Sequence, residues 1–158
     1  MSPSVRHSAQ PITILVAEDS KYDRMILQQA FGELGLNVSL HFVDNGEAVL
    51  DYLHRRNAYA VAATSPRPAL VLMDLNMPRM NGQETLLAIR EDEALRSLPV
   101  IVLSTSDSPK QIDQAYKNGV NAFVTKPGRY DEFVDLVSRL EAFWLTTARL
   151  PGVSARHC

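Results

Sequence analysis

Cysteine is almost absent from this sequence, because the only one is Cys158, the last residue. A single cysteine excludes an internal disulfide and any metal or nucleophilic site that needs several thiols. Such sparing use of cysteine is typical of proteins in a reducing compartment, and we therefore expect a cytoplasmic location.

Long hydrophobic runs are also missing. No apolar stretch of the sequence approaches the roughly 20 residues that a helix needs to cross a bilayer. The amino-terminal sequence MSPSVRHSAQP lacks the apolar centre of a secretory signal. We therefore expect no membrane partner.

Neither sign of charge is in excess, since 16 Lys and Arg stand against 18 Asp and Glu, for a formal net charge of −2. Without a broad basic field, we expect no nucleic-acid partner. The 158 residues, 46% of them hydrophobic, are enough for one domain with its own core. We predict a flexible segment at 1–11, a domain at 12–148 and a tail at 149–158.

Apolar runs alternate with segments of helical period along the chain. This alternation predicts parallel strands that are buried on both faces and connected by helices. The predicted strands are Ile12–Ala17, Val38–Val43, Ala69–Asp74, Pro99–Leu103 and Ala122–Lys126. The predicted helices are Lys21–Leu34, one that follows Asp44-Asn45-Gly46, Gly82–Arg90, Pro109–Asn118 and Tyr130–Thr147. Five such units predict an open, three-layer α/β domain with a parallel sheet.

The residues at the predicted strand ends are polar. Glu18 and Asp19 follow the first strand, Asp74 ends the third, Ser104 follows the fourth and Lys126 ends the fifth. Because ligands of such sheets bind at this edge, we expect these side chains to meet there. Carboxylates that lie together repel one another unless a cation lies between them, and oxygen ligands of this kind suit Mg²⁺. Ser104 and Lys126 would then bind a phosphoryl group, for which Asp74 is the candidate nucleophile.

Four motifs in this order carry a family resemblance: VAEDS at 16–20, LVLMDLNMPRMNG at 70–82, PVIVLST at 99–105 and FVTKP at 123–127. Together they resemble the receiver domain of two-component response regulators. The resemblance implies a flavodoxin-like (βα)5 sandwich with strand order 2-1-3-4-5. It also implies a phosphoacceptor switch that serves a sensor histidine kinase and is not a turnover enzyme.

The resemblance also assigns the metal ligands. It makes Asp74 the phosphoacceptor and Asp19 a direct ligand of Mg²⁺, with Glu18 acting mainly through water and Asn76 offering its backbone carbonyl. Glu18 stands where the family more often has Asp. Water attack on the phosphorylated Asp74 would reset the switch, at a rate tuned by Asn76 and Ser106.

The same resemblance makes Ser104 and Lys126 contacts of the phosphoryl oxygens, and Phe123 the aromatic partner of Ser104 in the switch. Many members of the family have Tyr at the position of Phe123, and an aromatic often follows the Lys-Pro pair where this sequence has Gly128. Pro127 resembles the family's proline that follows a cis peptide bond.

After the last predicted helix only about ten residues remain, so we expect a single-domain regulator whose signal leaves through its own surface. A helix of about 18 residues spans roughly 27 Å and overhangs a five-residue strand of about 17 Å. Phe143, Trp144 and Leu145 lie in this overhang, which predicts a homodimer. The insertion before the third strand and the ending EAFWLTTARLP resemble single-domain regulators that partner phytochrome-type kinases.

Three other functions can be compared with this one. An aspartyl phosphatase needs a second acid two residues after its nucleophile, and that position is Asn76. A flavin-binding protein of this architecture needs a phosphate loop rich in Ser, Thr and Gly after the first strand, where this chain has the acidic AEDSKYD. A binding module that does not depend on phosphorylation would not need the complete set of strand-end residues.

Overall fold

The computed structural model describes residues 10–152, so the predicted segment 1–11 and the last part of the predicted tail lie largely outside the described residues. The strands are β1 (Ile12–Ala17), β2 (Val38–Val43), β3 (Leu70–Met73), β4 (Val100–Ser104) and β5 (Ala122–Thr125). The α-helices are α1 (Lys21–Glu33), α2 (Gly46–Leu53), α3 (Gly82–Glu91), α4 (Pro109–Lys117) and α5 (Tyr130–Leu140). The irregular insertion holds one turn of 3₁₀ helix, Asn57–Tyr59.

The five strands form one parallel sheet in the order β2-β1-β3-β4-β5, which confirms the predicted fold class. The strand order therefore reverses between β1 and β3, because β2 lies on one side of β1 and β3, β4 and β5 follow on the other side. At this position the carboxyl ends of neighbouring strands leave a crevice where ligands of such sheets bind.

Apolar side chains cover both faces of the sheet, as the continuous apolar strands predict. On one face α1 and α5 pack against alternate residues of β1, β3 and β4, and α2, α3 and α4 pack on the other face. The middle strands are buried almost completely; every side chain of β3 is buried. The sheet is therefore a rigid platform for the residues at its carboxyl edge.

The last predicted helix is not a single α-helix. It is α-helical only over Tyr130–Leu140 and continues as a π-helical segment, Glu141–Thr147. The hydroxyl of Thr147 donates to the backbone carbonyl of Ala142 at 2.6 Å, and the amide of Ala148 donates to the carbonyl of Phe143, also at 2.6 Å. Both bonds span five residues, which is the spacing of a π-helix and not of an α-helix.

Two further features complete the fold. All peptide bonds between described residues are trans, so the expected cis bond before Pro127 is wrong, and the usual trans preference of a peptide bond holds there. Among residues 10–152 we find no helix with the length and apolar character that crossing a membrane requires.

Candidate functional site

The ammonium group of Lys126 lies at the centre of the carboxyl edge. Its Nζ donates to Glu18 Oε1 at 2.5 Å, to Asp23 Oδ2 at 2.9 Å and to Asp74 Oδ2 at 3.1 Å. A lysine ammonium has three donors, and each of them has a carboxylate partner. The side chain of Lys126 is only 4% exposed, so water screens these contacts little.

Three carboxylates meet at the same place. Glu18, Asp19 and Asp74 each offer an oxygen, and these oxygens all lie within 4.8 Å of one another. Glu18 is buried, Asp74 is half-buried and Asp19 is exposed. A set of hard oxygen donors this close together fits a divalent cation such as Mg²⁺ or Mn²⁺.

Burial shapes the ionisation of these groups. It raises the pKa of the Glu18 carboxyl above its usual value; the hydrogen bond and charge of Lys126 oppose this effect, whereas the charge of Asp74 adds to it. Burial alone would lower the pKa of Lys126, but its hydrogen bonds to Glu18 and Asp23 and the charges of Glu18 and Asp74 outweigh burial and raise it. Lys126 therefore stays protonated at neutral pH.

The loop after β3 places the carboxylate of Asp74. The backbone amide of Asp74 donates to the carbonyl of Ala17 at 3.0 Å, and the amide of Asn76 donates to Asp74 Oδ1 at 3.2 Å. A Cβ on Gly82 would lie 2.6 Å from the carbonyl oxygen of Asp74 and 2.7 Å from the Cα of Leu75. Glycine is therefore required where α3 begins, because the loop passes directly against it.

The other predicted switch residues lie on β4 and β5. Ser104 ends β4 and is fully buried, and its Oγ accepts a hydrogen bond of 3.2 Å from the amide of Ser106. The carbonyl of Ser104 accepts from the amide of Lys126 at 2.7 Å, which ties the two strand ends together. Phe123 is half-buried and packs on the apolar face that α4 covers.

One residue of the site, Asp23, was not predicted from the sequence. Asp23 lies in the first turn of α1, where its backbone amide donates to the helix-capping Oγ of Ser20 at 3.2 Å. Its side chain, 29% exposed, reaches Lys126 from the side of α1. An acidic residue in the first turn of a helix is usually explained by its favourable interaction with the helix dipole. The position of Asp23 therefore did not indicate a contact with Lys126. The spacing of Asp23 after the acidic pair Glu18-Asp19 was the signal that could have revealed it.

A model of the family described as the response regulator receiver domain matches residues 14–138 of this chain. The chain belongs to this family. A receiver domain is a phosphoacceptor switch of two-component signalling, and the partner that this family implies is a sensor histidine kinase.

Two curated relatives resemble this receiver domain over nearly their full lengths. The response regulator Rcp1 of Synechocystis is 34% identical over 145 residues, which cover 92% of this chain and 97% of Rcp1. The probable methanogenesis regulatory protein FilR2 of Methanothrix harundinacea is 34% identical over 151 residues, which cover 96% of this chain and 95% of FilR2.

Solved structures show the same fold. The response regulator RPA3017, described in red light signalling of R. palustris, is 45% identical, with a TM-score of 0.85 over 89% of this chain and 98% of that one. The phosphorylated cyanobacterial phytochrome response regulator RcpA is 35% identical, with a TM-score of 0.83 over 90% and 99% of the two chains. The Mn²⁺-bound form of Rcp1 is 34% identical, with a TM-score of 0.81 over 90% and 100%.

The three predicted interface residues of this receiver domain lie away from the acidic site, on the π-helical segment. Phe143 is 53% exposed, whereas Trp144 and Leu145 are half-buried against the domain's own core. The rings of Phe143 and Trp144 meet edge to face with centroids 5.3 Å apart. The domain therefore covers Trp144 and Leu145 in part and leaves Phe143 open to solvent.

Proposed function

We propose that Asp74 is the residue that accepts a phosphoryl group from the phosphohistidine of a sensor histidine kinase. The observation that carries this proposal is the contact of 3.1 Å between Asp74 Oδ2 and the buried ammonium of Lys126, beside two further carboxylates. Carboxylates can act as nucleophiles toward phosphorus. Transfer would form a bond between a carboxylate oxygen of Asp74 and phosphorus while the bond between histidine nitrogen and phosphorus breaks.

Mg²⁺ is the proposed cofactor. Asp19 and Asp74 would bind it directly, Glu18 would act mainly through water, and the backbone carbonyl of Asn76 would complete the protein ligands. The two carboxylate oxygens of Glu18 already accept from Lys126 and from the amide of Ser20, which supports its indirect role. When bound, the ion neutralises charge on the phosphoryl oxygens.

The residues of the chain have separate tasks in this reaction. Lys126 provides a fixed positive charge for one phosphoryl oxygen, and because it is buried, this charge is stronger than it would be in water. Ser104 provides a hydroxyl donor from the end of β4. If Ser104 turns toward the phosphoryl group, the space that it leaves lets Phe123 move inward, which would change the surface that partners recognise.

Autodephosphorylation would reset the switch. Water would attack phosphorus, and the bond to the oxygen of Asp74 would break. The amide of Asn76 donates to Asp74 Oδ1 and the amide of Ser106 donates to the Oγ of Ser104, which supports a place for both residues near the phosphoryl group. Their side chains would control how water approaches.

The acceptor role is tested by incubating the protein with phosphorylated candidate kinases and Mg²⁺ and following transfer with time. We expect label to move to wild-type protein and not to Asp74→Asn. Label on the Asn variant would place the acceptor at another residue.

We further propose that the kinase is of the phytochrome type and that signalling takes place in the cytoplasm. The similarity to RPA3017, RcpA and Rcp1 supports this partner. FilR2 and Rcp1 are each 34% identical to this chain, so the candidate kinases must be compared directly. In transfer profiling, the phytochrome-type kinase should give the fastest initial rate; a slow rate with it and a fast rate with another kinase would reject this partner.

The π-helical segment would form a homodimer interface, since Phe143 presents an apolar ring to solvent. Light scattering or sedimentation should then find a dimer. A monomer at high micromolar concentration, both with and without phosphorylation, would remove this proposal.

A further inference from the structure

A chain of polar side chains leads from the site to α4 and is not explained by phosphoryl transfer itself. The hydroxyl of Ser106 donates to Gln111 Oε1 in the first turns of α4. Gln83 of α3 donates through Nε2 to the backbone carbonyl of Gln111 at 3.1 Å, and its Oε1 accepts from Asn118 Nδ2 at 2.8 Å. Gln111 is therefore held by the neighbouring helix while it holds Ser106.

Ser106 makes contacts both with the site and with α4. Its backbone amide donates to the Oγ of Ser104 at the site, and its side chain is directed toward α4, where the amide of Ser108 donates to its Oγ at 3.5 Å. Ser106 is half-buried, so its hydroxyl has few water partners. As long as Gln111 accepts its hydrogen, this hydroxyl cannot donate a hydrogen bond to a water molecule near Asp74.

We propose that Gln111 is a positioning residue that lengthens the lifetime of the phosphorylated state by holding the hydroxyl of Ser106 toward α4. This inference rests on the proposed function, because it requires Asp74 to carry the phosphoryl group. Without Gln111, the hydroxyl rotates and orients the attacking water, so dephosphorylation becomes faster. Gln111 acts entirely through Ser106 and touches no reacting atom.

The test measures the decay of phosphorylated protein after removal of the phosphodonor, with Mg²⁺ present. Gln111→Ala should decay about threefold faster, the scale that one neutral hydrogen bond supports. In a Ser106→Ala background, the same change at Gln111 should have no effect, because the two residues form one unit. Gln111→Glu keeps an acceptor oxygen and should restore a lifetime close to that of the wild type.

Gln114→Ala is the matched control on the same helix. Gln114 is exposed and donates to Asn118 at 3.1 Å. It therefore lies at the end of the chain of polar side chains that is farthest from Ser106, and the lifetime should not change. An unchanged lifetime in Gln111→Ala would overturn the inference. So would an acceleration that persists without the hydroxyl of Ser106, or one that Gln111→Glu fails to reverse. If wild-type protein took up no phosphoryl group, or took it up at another residue, the proposed function would fail first.

Discussion

The two ends of the strands differ in the side chains that surround them, which are charged at the carboxyl edge of the sheet and apolar at the amino edge. At the carboxyl edge, the buried ammonium of Lys126 contacts the carboxylates of Glu18, Asp23 and Asp74. At the amino edge, Leu150 and Ala69 are buried, and Trp144 packs against them. The chain that leaves α5 thus returns beneath the strands and closes the amino edge with apolar groups.

This difference separates chemistry from stability. Buried charges such as those around Lys126 contribute little net stability, because the loss of hydration offsets their attraction. Burial of the apolar Leu150 stabilises the domain without such a cost. Changes at the carboxyl edge should therefore alter phosphorylation, and they should also lower stability where they leave a buried charge without its partner. Changes at the amino edge should alter the free energy of unfolding alone.

Asp74→Asn should have the largest effect. It removes the nucleophilic carboxylate while keeping the shape of the side chain, so modification by acetyl phosphate should be abolished. Intact-protein mass spectrometry measures the added phosphoryl group, and circular dichroism checks that the fold is unchanged. A variant that still gains the mass of a phosphoryl group would contradict the acceptor role.

Lys126→Ala should lower the free energy of unfolding by about 3–5 kcal/mol at neutral pH, the usual cost of leaving a buried charge without its partner. Some phosphorylation should remain, but most of the conformational response should be lost. Urea unfolding measures the stability, with Lys117→Ala, an exposed lysine at the end of α4, as the control. Equal stability of the two variants would show that Lys126 does not compensate the carboxylates.

The cost of Lys126→Ala should also depend on pH. The raised pKa of Lys126 means that its stabilisation is fully present at neutral pH and is lost only as pH rises through that value. The raised pKa of Glu18 means that its buried carboxyl becomes neutral as pH falls through that value. The difference between variant and wild type should therefore shrink toward acidic pH. A difference that grows there would contradict this pairing.

Much of this architecture is readable from the sequence. The continuous apolar runs predict all five strands, and the polar residues that follow them predict that Asp74, Ser104 and Lys126 lie at one edge of the sheet. The hydrogen bonds of Lys126 are not readable, because they depend on side-chain directions. For that reason Asp23 was missed.

The carboxyl-terminal part of the domain was harder to predict. The spacing of apolar residues after Tyr130 fits an α-helix, and periodicity cannot distinguish this from the wider π-helical turn that begins at Glu141. The position of Leu150 at the amino edge depends on the π-helical segment. For this reason the local sequence pattern could not predict it either.

Leu150→Ala should reduce the free energy of unfolding by about 2 kcal/mol, at the low end for a buried leucine because its neighbours are partly exposed. Phosphorylation by acetyl phosphate should remain at the wild-type rate. Arg149→Ala changes the exposed preceding residue and should do neither. Loss of phosphorylation in Leu150→Ala under folded conditions would show that the two edges are not independent.

Phe143→Ser should have the smallest effect on the monomer, within about 0.5 kcal/mol, because about half of the residue is exposed to solvent. It should weaken self-association, which sedimentation measures over a range of concentrations. Leu87→Ser, an exposed leucine on α3, should leave self-association unchanged. Equal behaviour of the two variants would exclude the π-helical segment as the interface.

The shared metal site at the carboxyl edge is tested most directly by calorimetric titration of wild-type protein and Asp19→Asn with MgCl₂. We expect saturable binding by the wild type and at least about tenfold weaker binding by the variant, a difference of about 1.4 kcal/mol. Absence of binding to the wild type, or equal affinity of both proteins, would contradict a cation held between Glu18, Asp19 and Asp74.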